Sequence, residues 1–186
     1  MEAFLVSIAV VAVAEIGDKT QLLALLLACR FRRPLPIALG VLVATLANHA
    51  AAAFAGNWLL QVVDPAILRW GLGASFFAVA IWALIPDKLE DEPRLWDKAG
   101  PFLATLTAFF LVEIGDKTQI ATVGLAIRFD SLLAVVFGTA LGMVLANGPV
   151  IVFGDALAKK LPLRFVRLCA AIVFAVLGLA VLADWQ

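Results

Sequence analysis

Histidine and cysteine are scarce in this sequence, and charge is thin. There is one histidine, His49, and there are two cysteines, Cys29 and Cys169, far apart near expected helix ends. No CxxC pair and no Cys/His cluster occurs. Zinc, copper and thiol redox chemistry therefore have no ligand set, and the two thiols read as small buried or interfacial side chains. Charged residues make up 15% of the 186 and hydrophobic residues 64%, where a soluble domain is about a quarter charged and about half apolar. The formal net charge is zero, so no bias points to nucleic acid or to an acidic partner. The N-terminus lacks the basic stretch of a signal peptide. Its early charge is Glu2, and the apolar run continues past any cleavage site, so this segment is expected to be a retained first helix.

What the sequence has is apolar runs. A helix needs roughly 20 apolar residues to cross a bilayer, and lipid offers exposed backbone no hydrogen-bond partners, so the spans must be helical. The expected fold is an all-α integral membrane protein with six transmembrane helices, at 3–28, 35–60, 67–86, 101–127, 132–157 and 163–183. Arg30 to Pro34 stops the first, Asp64-Pro65 separates the second and third, and Lys159 to Pro162 separates the last two. Basic residues set the orientation. Arg30, Arg32 and Arg33 fall in the first loop, Lys88, Arg94 and Lys98 in the third, and Lys159, Lys160, Arg164 and Arg167 in or beside the fifth, against Arg69 and Arg128 in the even loops. The odd loops are thus expected in the cytoplasm and both termini outside it.

The chain is a duplication. Glu-Ile-Gly-Asp-Lys-Thr-Gln stands at Glu15–Gln21 and again at Glu113–Gln119, and a shift of 98 also aligns Gly40 with Gly138 and Arg69 with Arg167. With one residue of slippage Asn48 meets Asn147. The expected organisation is a three-helix repeat at 1–86, a cytoplasmic linker at 87–100 and a second three-helix repeat at 101–186. Three spans per copy is an odd number, so the second copy enters from the opposite side. That gives two inverted-topology repeats, an arrangement in which ion sites lie near the midplane where the repeats meet. A duplication kept for packing alone would preserve small and apolar residues, not a charged heptad. Gly138 to Gly142, echoed by Gly40 and Ala44, reads as close helix packing.

Each copy puts Glu, Asp and Lys inside a span, where charge is expensive and marks a pathway. On a continuous helix at about 100° per residue, Glu15, Asp18 and Gln21 form one oxygen-rich stripe with Lys19 at its border. Glu113, Asp116, Gln119 and Lys117 repeat it. Gly17 and Gly115 could allow a local break that frees backbone carbonyls. If ionised, the four acids sum to minus four, and Lys19 and Lys117 return plus two. One divalent cation cancels the balance. Two protons would do the same, since carboxylates clustered away from water hold protons more readily than free ones. Carboxylate, amide and carbonyl oxygens suit Ca²⁺, Mg²⁺ and Mn²⁺. Thr20 and Thr118 could add hydroxyls, but the commoner role is a bond to the carbonyl one turn back. A purely structural motif would pair Glu15 with Lys19 and Glu113 with Lys117 at the i,i+4 spacing. That leaves Asp18 and Asp116 uncompensated.

Glu-Ile-Gly-Asp-Lys-Thr, present twice in a duplicated six-helix chain, resembles the Glu-x-Gly-Asp-(Lys/Arg)-(Thr/Ser) hallmark of the transmembrane protein 165 family. Both copies fit, and the resemblance spans the chain. It implies a cation exchanger for Mn²⁺ or Ca²⁺ with protons as counter-ion, no resident cofactor, and Glu15, Asp18, Glu113 and Asp116 as the metal-binding acids. The compact form resembles the bacterial branch, associated with manganese export, which implies a multi-pass protein of the cell (inner) membrane.

Among the other polar residues in spans, Asn48 and Asn147 either line the pathway or bond between helices. His49 could relay protons. Asp155 beside Lys159 reads as an interfacial ion pair. Trp58, Trp70, Trp82, Trp96 and Trp185 read as interfacial anchors. The expected partners are a divalent cation and the lipid bilayer, with a second copy of the chain as a candidate. The main alternative is an intramembrane aspartyl protease using Asp18 and Asp116, two carboxylates sharing a proton. The lysine after each aspartate and the extra glutamates oppose it. A cation channel, a scaffold and a small amino-acid exporter are the remaining readings, the last with no dedicated pocket to support it.

Overall fold

The computed structural model describes residues 1–86, 100–129, 131–154 and 163–183. These residues form eight helices: α1 Glu2–Glu15, α2 Lys19–Phe31, α3 Pro34–Val62, α4 Pro65–Ala83, α5 Pro101–Glu113, α6 Lys117–Arg128, α7 Leu132–Phe153 and α8 Leu163–Ala183. No strand occurs among the described residues. Prolines start three of them, Pro34, Pro65 and Pro101, where a missing N–H costs nothing. Asp64 caps α4 by accepting from the Ala66 and Ile67 amides. Lys88, Arg94, Trp96 and Lys98 of the expected linker, and Asp155, Lys159, Lys160 and Trp185, lie outside the described residues.

Among the described residues, four helices are long and apolar enough to cross a membrane: α3, α4, α7 and Arg164–Ala183 of α8. The expected spans at 3–28 and 101–127 are not continuous helices. Each is two short helices, α1 with α2 and α5 with α6, broken at Ile16–Asp18 and Ile114–Asp116. The cause is local. Gly17 and Gly115 adopt φ of 81° and 77°, a left-handed conformation that glycine takes without steric cost and that no helix interior tolerates. Each piece has 12 to 14 residues, about 20 Å at 1.5 Å per residue, and so is too short to span by itself.

Packing exchanges elements between the halves. The chief partner of α1 is α7 and that of α5 is α3, while α2 touches α7 and α6 touches α3. Two glycines explain the close approach. A Cβ on Gly40 of α3 would lie 2.7 Å from Thr105 Cβ and 2.9 Å from the Phe102 carbonyl of α5. A Cβ on Gly138 of α7 would lie 2.8 Å from Ser7 Cβ and 2.7 Å from the Phe4 carbonyl of α1. Gly142 presses on Ile8 in the same way, at 2.7 Å, so the small-residue stripe does serve packing. The remaining pair, α4 and α8, packs together with Phe76 stacked on Phe174. The Arg69 guanidinium on α4 donates to the Leu182 carbonyl at the end of α8.

The outer faces are apolar. Phe54, Trp58, Ile67, Trp70, Phe137 and Phe165 are all exposed, a surface suited to lipid rather than water. Trp58 and Trp70 sit close to helix ends, as interfacial anchors do. Cys29 is exposed, Cys169 is part-buried, and neither is in a disulfide.

Candidate cation site

Charged side chains are buried at the centre of this apolar molecule. Glu15 and Asp18 are fully buried, and Glu113, Asp116 and Lys117 nearly so. The two helix breaks put them there. In a continuous helix the Gly17 amide would bond the carbonyl four residues back. Here it donates to the Gln21 side-chain oxygen at 2.9 Å, and the Gly115 amide donates to that of Gln119 at 2.8 Å. The Gln21 amide nitrogen then donates to the Ala146 carbonyl of α7 at 2.9 Å. The glutamines, expected among the ligands, thus give their oxygens to the backbone break.

The break also turns the aspartates. Asp18 and Asp116 are the N-cap residues of α2 and α6, in extended conformation, yet neither side chain caps its helix. One carboxylate oxygen each from Glu15, Asp18 and Asp116 falls within a group whose members are all within 4.8 Å of one another. Oxygens bound to one Ca²⁺ at about 2.3–2.6 Å lie at most about 5 Å apart, so this trio can share a single cation. Two acids come from the first half and one from the second. The positive ends of α2 and α6 favour the carboxylates on their first turns, and the carbonyl ends of α1 and α5 face the same region.

The lysines pair across the halves. Lys117 Nζ lies 2.7 Å from Asp18 Oδ1, and Lys19 Nζ lies 3.1 Å from Asp116 Oδ1. The i,i+4 pairs expected on a continuous helix have no continuous helix to form on, because each lysine is the first residue of a new one. Each aspartate is balanced by the other half's lysine. Glu15 and Glu113 are the two acids of the heptads that this pairing leaves over.

The two glutamates are treated differently. Glu113 accepts from the Thr45 hydroxyl at 2.7 Å and from the Asn48 amide at 3.0 Å, one on each oxygen. Neither oxygen of Glu15 has a hydrogen-bond partner among the described residues. Thr118 was expected to bond a carbonyl one turn back. As the second residue of α6 it has no turn behind it, and its hydroxyl meets Asp116 Oδ2 at 3.2 Å. Thr20 is buried with no hydroxyl partner among the described residues. Asn147 bonds within α7, to the Met143 carbonyl and sulfur at 3.1 Å each. His49 is fully buried in α3 with both ring nitrogens unpartnered among the described residues.

Thr45 was missed. Its signal in the sequence is its place three residues before Asn48, which puts both on one face of α3. The protease reading needs two aspartates sharing a proton, whereas each of these is ion-paired to a lysine.

The comparisons with known proteins agree with a transporter. The family model described as "Divalent cation/proton antiporter GDT1" matches residues 3–91 and 101–186. A Vibrio cholerae protein named "Putative manganese exporter" is 50% identical over 181 residues, covering 97% of this chain and 90% of that protein. "GDT1-like protein 5" of Arabidopsis thaliana is 28% identical, covering 96% and 94%. "Divalent cation/proton antiporter GDT1" of Saccharomyces cerevisiae is 24% identical, covering 96% and 82%. No solved structure matches.

Proposed function

This chain belongs to the GDT1 family of divalent cation/proton antiporters, a transporter and not an enzyme, and from that premise we propose that it expels Mn²⁺ from the cytoplasm in exchange for protons. One observation carries the assignment of the site: fully buried oxygens of Glu15 and Asp18 from one half meet those of Asp116 from the other within 4.8 Å. Charge of one sign gathered in an apolar interior is costly unless it is paired or holds a cation. The lysines answer for the aspartates. A divalent ion answers for the two glutamates, and two protons answer for them once it leaves. The name of the Vibrio cholerae relative supports Mn²⁺ over Ca²⁺. The all-oxygen donor set is compatible with either ion.

In this reading α1 with α2, and α5 with α6, are the first and fourth of six spans, and the halves are inverted repeats. Antiparallel packing of α4 on α8 supports the inversion: Arg69, early in α4, meets Leu182 at the end of α8, and Phe76, later in α4, meets the earlier Phe174. The basic first loop supports cytoplasmic odd loops, with both termini outside the cytoplasm and the chain in the cell (inner) membrane. Broken helices at the meeting of two inverted repeats are a recurrent transporter site, and access alternates as one repeat rocks against the other. The apolar outer faces are left to lipid; a second copy of the chain is their alternative cover, to be read from the mass of the protein in detergent.

The test is metal flux into proteoliposomes with an imposed pH gradient, comparing Mn²⁺, Ca²⁺ and Mg²⁺. Mn²⁺ should move against the proton gradient, and Asp116→Asn should abolish the flux. Flux indifferent to the gradient would make the chain a channel. No flux of any of the three ions would overturn the proposal.

A further inference from the structure

The duplicated heptads suggest two equal half-sites, but the long helices facing them differ. We propose that Glu15 is the glutamate that takes the cation, and that Glu113 is held beside it by Thr45 and Asn48, which act as positioning residues. This rests on the reading of the acids as the ion site.

The register of the halves carries the argument. Gly40 of α3 meets Phe102 and Thr105 of α5, and Gly138 of α7 meets Phe4 and Ser7 of α1. Each residue of the first set is the other's counterpart under the shift of 98. The end of α5 therefore faces residues 45 and 48 of α3 as the end of α1 faces residues 143 and 146 of α7. On α3 those positions are Thr45 and Asn48, two donors, and both bind the Glu113 carboxylate. On α7 they are Met143 and Ala146, whose side chains donate nothing. The nearby amide, Asn147, donates to Met143 of its own helix instead. Both Glu15 oxygens are consequently buried without a hydrogen-bond partner among the described residues.

A carboxylate with two donors is satisfied where it is. One with none is complete when it gains a cation or a proton. The trio that converges within 4.8 Å contains Glu15 and omits Glu113. The ion is thus taken off-centre, toward the first half, and Glu113 contributes charge at a distance while α3 holds it.

The test is Mn²⁺ titration calorimetry on the purified full chain, together with thermal unfolding in the absence of metal. Glu15→Gln should weaken Mn²⁺ binding by more than about 100-fold, and Glu113→Gln by about 10-fold, the effect of an outer-sphere partner. The double variant Met143→Thr with Ala146→Asn transfers the donors to Glu15. It should lower Mn²⁺ affinity by about 10-fold while raising the unfolding temperature of the metal-free protein, an opposition that general damage does not produce. Should that double variant fail to fold, the two glutamate variants decide alone. Equal losses from Glu15→Gln and Glu113→Gln would overturn the inequality and leave the ion site standing. No loss from either would overturn the ion site and this inference with it.

Discussion

Lys117 and Lys19 carry the same charge in the same motif, but their surroundings differ. The Lys117–Asp18 pair is 5% and 0% exposed, while Lys19 in the other pair is 24% exposed. Removing one partner of a buried pair strands the other charge, at about 3–5 kcal/mol. Lys117→Met should therefore destabilise the metal-free protein by about that amount, and Lys19→Met by less. Mn²⁺ should restore more stability to Lys117→Met than to the unaltered protein, because the ion replaces the missing positive charge. Thermal unfolding with and without Mn²⁺ reads this. Equal destabilisation without metal, or no extra rescue with it, would contradict the pairing. The acids themselves were legible in the sequence because the heptad occurs twice and is charged inside apolar runs. Their lysine partners were not. A helical wheel assigns neighbours within one helix, and these pairs join residues 99 and 97 apart in the chain (Lys117 with Asp18, Lys19 with Asp116). Thr45 was hidden for a different reason: one hydroxyl in a long apolar helix ordinarily bonds its own backbone.

At the scale of the element, the break between short helices is what presents the acids. Gly115 has φ of 77° and open space where a Cβ would stand. Gly115→Ala should thus cost only the left-handed penalty, about 1–2 kcal/mol, with no clash added. Gln119→Leu removes the side chain that accepts the exposed Gly115 amide and so costs about the net worth of one hydrogen bond, about 0.5–1.5 kcal/mol. Both variants should reduce Mn²⁺ transport more than they reduce folded yield, since each favours rejoining α5 with α6 and turning Asp116 away. Transport at the unaltered rate in both would show that the break is not what positions the site. The glycine signalled the break in the sequence. The stripe of Glu, Asp and Gln assumed a continuous helix, whereas the Gln21 and Gln119 oxygens accept from the glycine amides of the break.

For the whole molecule, the exchange of partners between halves brings acids of both heptads together. With α1 on α7 and α5 on α3, neither heptad is enclosed by its own half. The shift of 98 disclosed the duplication, and the count of apolar runs disclosed the class of fold. Neither could disclose the exchange, because packing partners are decided by surface fit. Gly40 and Gly138 were the trace of it, readable only as close approach to some helix. The composition likewise announced lipid, now visible as the exposed apolar faces of Phe54, Ile67 and Phe137.

The central claim is that both halves supply one cage for one ion. Counting Mn²⁺ bound to the purified protein by electron paramagnetic resonance tests it most directly, with Asp18→Asn and Asp116→Asn alongside. We expect one tightly bound Mn²⁺ per chain, lost entirely in either variant. Two ions per chain, with each variant losing one and keeping the other, would contradict the account.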